Sequence, residues 1–88
     1  MAKYLDAAET TGEEIYIDVT GPWIMIVHSA AAKVTLQAKY PADIAANAWA
    51  DLYSMSADGM DQVYLIQGLT VRFTTTTAGA NAGLERPD

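Results

Sequence analysis

A chain of 88 residues with no cysteine, eleven acidic residues against five basic ones and a net charge of -6 makes one small domain, of a size that buries only roughly 60% of the surface its unfolded form exposes. The missing thiol removes disulfides, thiolate metal sites and cysteine nucleophiles together. The basic residues Lys3, Lys33, Lys39, Arg72 and Arg86 are scattered, so a phosphate backbone is repelled and nucleic acid is not expected as a partner.

The chain begins MAKYLDAAETTGEE, in which Tyr4 and Leu5 are the only sizeable apolar groups and no period is visible. No apolar run follows Lys3 to act as a signal peptide, and none anywhere approaches the ~20 residues of a membrane helix. The expectation is a soluble product of a cytoplasm with no membrane partner. Residues 1–14 read as an N-terminal arm, because so little apolar area does not offset the entropy of ordering it.

Residues 15–20, IYIDVT, alternate Ile15, Ile17 and Val19 with Tyr16, Asp18 and Thr20, the period of a half-buried strand. Gly21-Pro22 ends that run. The next, WIMIVHS, is apolar on both faces, with Trp23, Met25 and Val27 on one and Ile24 and Ile26 on the other. Its β-branched and aromatic content favours a strand. In an antiparallel sheet with one solvated face, Ile24 and Ile26 are left in water unless another layer or another subunit covers them.

KVTLQAKY, residues 33–40, is the cleanest alternation in the chain, and Pro41 ends it. Residues 43–53, DIAANAWADLY, read two ways. Asp43 could cap a short helix through Ala50, or a loop leads into a strand from Ala48 to Tyr53 with Trp49 against the core; the second reading is preferred. Residues 56–59, SADG, signal a turn. DQVYLIQ and LTVRFTTTT follow, joined at Gly68, with Val63 and Leu65 on one face and Leu69, Val71 and Phe73 similarly aligned. After Thr77 only Leu84 is a large apolar group. The pattern describes an all-β fold, a small antiparallel β-sandwich or barrel of about six to seven short strands over residues 15–77, between an arm at 1–14 and a flexible tail at 78–88.

Chemistry is sparse. His28 is the single histidine, which excludes a multi-histidine metal site, and Asp58 and Asp61 around Gly59-Met60 fall short of the six or more oxygen ligands that calcium takes. Neither glycine-rich phosphate motif occurs. No catalytic residue, metal or cofactor is expected, and no enzyme activity. Trp23 and Trp49 are expected to fill the core, the other reading being a sugar-stacking platform. Arg72, with five donors and a permanent charge, suits a carboxylate across a subunit boundary, against the plainer reading of a solvated strand face.

The succession W-x-M-x-V at 23–27, AKVTLQAKY at 32–40, NAWADLY at 47–53 and GLTVRF at 68–73, with an alanine- and glycine-rich end, resembles small β-sandwich structural proteins of tailed bacteriophages. These comprise head decoration (cement) proteins and tail or fibre modules, and the likeness spans residues 23–84. It implies a virion protein, made in the host cytoplasm, that decorates the capsid as a homo-oligomer, a trimer foremost, with the major capsid protein as partner. Candidate contacts are Tyr4, Leu5, Ile24, Ile26, Tyr64 and Arg72. On the particle the N-terminal arm would add as a strand to a neighbouring sheet edge. The alternative is a tail or fibre module that binds host carbohydrate through exposed aromatic side chains.

Overall fold

The structure, a computed structural model, describes residues 2–6, 8–30 and 32–87, without the side chains of Ala2, Lys3 and Tyr4. Among the described residues eight strands alternate with short connections: β1 (Ala2–Leu5), β2 (Ile15–Tyr16), β3 (Gly21–His28), β4 (Val34–Lys39), β5 (Trp49–Met55), β6 (Gly59–Leu65), β7 (Thr70–Thr75) and β8 (Asn81–Glu85). A single helical turn, α1 (Ala42–Ala45), joins β4 to β5. Sheet I has the order β1-β8-β3-β6 and sheet II the order β2-β7-β4-β5, all neighbours antiparallel. Only the β4–β5 connection stays within one sheet. This wiring is the double Greek key of an eight-stranded jelly roll, and the expected all-β sandwich is the fold.

Alternation builds the core. Trp23, Met25 and Val27 of β3 point inward from sheet I and meet Val34, Leu36, Val71 and Phe73 of sheet II, all buried in one cluster. The molecule is 17 Å across its short axis, which holds two sheets about 10 Å apart and little more. One layer of side chains is therefore the whole core. Inside it the Trp23 indole donates to the Val19 carbonyl at 3.0 Å, which satisfies the one polar atom that the ring carries inward.

The chain ends depart from the expectation. Neither is an arm: β1 pairs with β8 through Ala2↔Leu84, Lys3↔Gly83 and Leu5↔Ala82, and β8 pairs with β3 from Ile24↔Glu85 to His28↔Asn81. Residues 10–17 then run along β7, where the Gly12 amide donates to Phe73 at 2.9 Å, the Thr75 amide to Thr10 at 2.8 Å and the Ile17 amide to Leu69 at 2.8 Å. The boundaries at 15 and 77 are therefore too narrow. Ordering entropy is offset here by backbone pairing and by a few well-placed apolar groups, since Leu5, Ala80, Ala82 and Leu84 are all buried. At Gly21 a β-carbon would come within 3.1 Å of the Pro87 ring, so the C-terminal end closes tightly over the start of β3.

Residues 43–53 combine both readings. Ala42–Ala45 make one helical turn, with Pro41 at the N-cap position and no side-chain capping bond, so Asp43 lies in the first turn and is not the cap. The strand then runs from Trp49 to Met55 and carries a register shift opposite Leu36/Gln37.

Leu5 is fully buried, so Leu5→Ala should cost about 2–5 kcal/mol, measured by urea unfolding of the full chain. A protein without residues 1–11 should unfold far more readily than the full chain. Equal midpoints for the two would show that the first strand contributes nothing.

Candidate functional site

The two outer faces of the sandwich differ in chemistry. On sheet I, β3 turns Pro22, Ile24 and Ile26 outward, and the register sets them beside Tyr64, Gln62 and Met60 of β6. Ile66, just past β6, continues the same parity. Met60, Tyr64 and Ile66 are 74%, 68% and 58% exposed, and Ile24 and Ile26 are half-buried. Beside Ile26, β8 presents Gly83, which adds no side chain to that row. The result is an apolar strip along β3 and β6. It ends at the outer edge of β6, an edge strand whose free backbone groups offer a template for a further strand.

Sheet II carries a polar network on its outer face. The Gln37 amide donates to Asp51 at 2.9 Å and accepts from Arg72 Nε at 3.0 Å. The Arg72 guanidinium lies over the Trp49 ring, 4.1 Å from its centroid, and Lys39 Nζ is 6.0 Å from the same centroid. Lys39 also meets Glu14 at 4.0 Å. Farther along, the Thr35 and Ser54 hydroxyls share a hydrogen bond of 3.0 Å.

Trp49 is thus outside the core, contrary to expectation, and only Trp23 is inside. The cause is a β-bulge. Tyr53 faces Leu36 but Asp51 faces Gln37, so Leu52 is the extra residue and the parity of β5 inverts before it. Without that residue Trp49 would share the inward parity of Tyr53 and Met55.

Of the candidate contacts, Ile24, Ile26 and Tyr64 come together on sheet I, while Arg72 lies on the opposite side of the molecule, on sheet II. Leu5 is no contact residue: it is buried in this chain's own core. Tyr4 contributes its backbone to β1, and its side chain lies outside the described residues. Met60 and Ile66 were missed, although the inward parity of Val63 and Leu65 already placed even-numbered neighbours outward. Asp51 was missed, and Trp49 was preferred as a core residue over a sugar platform, because the bulge in β5 has no sequence signature; Gln37 was missed although the alternation of β4 already set it opposite in parity to Leu36 and Ala38.

Two further contacts tie strands together. The Tyr53 hydroxyl, on β5, donates to Asp61 on β6, a bond that holds the two sheets at their shared edge and pushes the Tyr53 pKa up. At the β3–β4 connection the Asp58 carboxylate accepts from the Ala30 amide at 2.8 Å. That bond, one from the Ser29 amide and the nearby His28 hold the Asp58 carboxyl below its usual range. The His28 ring meets the Ser29 hydroxyl at 3.0 Å through Nδ1, and Ser29 sits at φ 63°. The Asp58 oxygen is directed to backbone, so the three do not form a nucleophile–base–carboxylate relay. Among the described residues no group of three or more His, Cys, Asp or Glu is arranged around a metal position.

No protein-family model matches the chain, and no curated protein sequence and no solved structure matches it.

Because the folded-state pKa of Asp58 is lowered, the stability it contributes is present above the ordinary carboxylate range and lost as pH falls through the folded value. Asp58→Ala should therefore be less stable than the parent at about pH 7, and the gap should close as the pH drops below the carboxylate range. Thermal unfolding midpoints of both proteins across that range test it; a gap independent of pH would contradict the assignment.

Proposed function

We propose that this protein is a structural module that attaches to a larger assembly through the outer face of sheet I, and that the assembly is a phage virion. In this reading it is a capsid decoration protein, a homo-oligomer with trimer as the favoured form, seated on the major capsid protein. The fold carries none of the weight, since jelly rolls host unrelated activities. The single observation that carries it is the apolar strip of half-buried Ile24 and Ile26 with exposed Met60, Tyr64 and Ile66, on a domain whose core is one side-chain layer thick. Contiguous apolar surface of this kind marks contact sites on soluble proteins.

The mechanism is mechanical. Covering the strip removes apolar area from water at about 25 cal/mol per Å², and the open edge of β6 supplies main-chain hydrogen bonds that ask little of the partner's sequence. Each copy adds its binding free energy to the shell it bridges. The tail or fibre reading, with a carbohydrate ligand, draws on the position of Trp49 outside the core and belongs to the other face.

Mass spectrometry of purified virions from the strain that carries the gene tests the location. The chain is expected in the particles in copy numbers comparable to the major capsid protein, and its absence overturns the reading. Met60→Asp combined with Tyr64→Asp should keep the unfolding midpoint, since both side chains are exposed and surface changes usually stay within about 0.5 kcal/mol. The same pair should weaken rebinding to particles stripped of this protein by at least about tenfold. Unchanged rebinding would remove sheet I from the contact.

A further inference from the structure

The outer face of sheet II holds a second arrangement that attachment through sheet I does not use. Arg72 is fixed there from two sides, by the Trp49 ring at 4.1 Å and by the Nε bond to Gln37, which Asp51 in turn holds. Among the described residues its two Nη groups bond to no protein acceptor. A guanidinium loses most of its freedom when stacked and anchored, and the part left free is the edge that grips a carboxylate by two parallel hydrogen bonds. The side chain is pre-organised before any partner arrives.

Its surroundings specify more than a charge. Across sheet II the register sets Trp49 beside Lys39 and Thr70 beside Tyr16, and Lys39 and Thr70 line the two sides of one recess. This row places a ring at each end of a hydroxyl and an ammonium, and Tyr16 is 61% exposed. At the end of the row a recess of about 320 Å³ opens between Lys39, Tyr40 and Pro41 on one side and Gly68, Leu69 and Thr70 on the other. Arg72 and Lys39, two of the five basic residues in the chain, share this face with Glu14 and Asp51, so what an anion meets here is the local guanidinium edge of Arg72 and not a net positive face.

From this juxtaposition we propose that the outer face of sheet II is a binding site for a carboxylate-bearing saccharide of the uronic acid type. Arg72 grips the carboxylate, Lys39 and Thr70 meet the hydroxyls, and the aromatic rings supply apolar walls. A saccharide fits better than an acidic peptide. Peptides that join a sheet do so along an edge strand, whereas Arg72 lies on β7 and Lys39 on β4, both interior strands whose backbone groups are already paired. Recognition at this face runs through side chains alone.

The site lies across the sandwich from the proposed attachment face, so either can fail without the other. Heteronuclear NMR of the labelled full-length chain, titrated with trigalacturonate, tests it. Saturable shifts of the Arg72 Nε and Trp49 Nε1 signals are expected, with much smaller shifts for maltotriose, the neutral control. Arg72→Lys keeps the charge but not the planar fork and should weaken binding about tenfold. Lys39→Gln, a change at an exposed side chain, should weaken it several-fold with the unfolding midpoint unchanged. The proposal is overturned by an absence of shifts at millimolar trigalacturonate, by binding indifferent to both substitutions, or by poly-glutamate shifting the same signals as strongly, which would assign Arg72 to a protein carboxylate instead.

Discussion

Residues 2–5 and 10–17 line one side of the two sheets, and among the described residues it is these that close the sandwich on that side. β1 covers the edge of β8 in sheet I, and the stretch from Thr10 to Ile17 covers the edge of β7 in sheet II. Leu5, Ile15 and Ile17 enter the core from this one segment. With a single layer of side chains between the sheets, few residues are spare, and each inward group touches material from the opposite layer. In a core this thin a lost leucine cannot be compensated by a second shell behind it.

With β1 and β2 as the edge strands on that side, the other two edge strands, β5 and β6, lie on the opposite side. Tyr53 and Asp61 fasten these two strands across the layers, and Asp58 fastens the turn between them to the β3–β4 connection. The two broad faces are then held rigid and back to back. One is apolar and continues to the open edge of β6; the other is aromatic, cationic and amide-bearing.

Much of this was legible in the sequence because strand parity is a strict rule. Ile15, Trp23, Met25, Val27, Val34, Leu36, Val71 and Phe73 all face inward as their alternation requires, and Ile24 and Ile26 face outward as the doubly apolar run implied. Two things were not legible. The terminal strands offer little apolar pattern to read, since β8 buries one alanine and one leucine, with Ala80 just before it, and β1 relies on Leu5; what holds them is main-chain pairing, which leaves no trace in residue type. The outward turn of Trp49 depends on one extra residue at Leu52, and a strand of alternating small, acidic and aromatic groups reads equally well in either parity.

Amide hydrogen exchange on the free full-length protein, residue by residue, tests most directly whether the first segment is part of the fold. The amides of Gly12 and Ile17, which donate to Phe73 and Leu69, and the paired amides of β1 should exchange only as slowly as those of β3, through the global unfolding of one cooperative unit. Exchange at these positions within seconds, while β3 stays protected, would mean that the sandwich stands without its N-terminal segment.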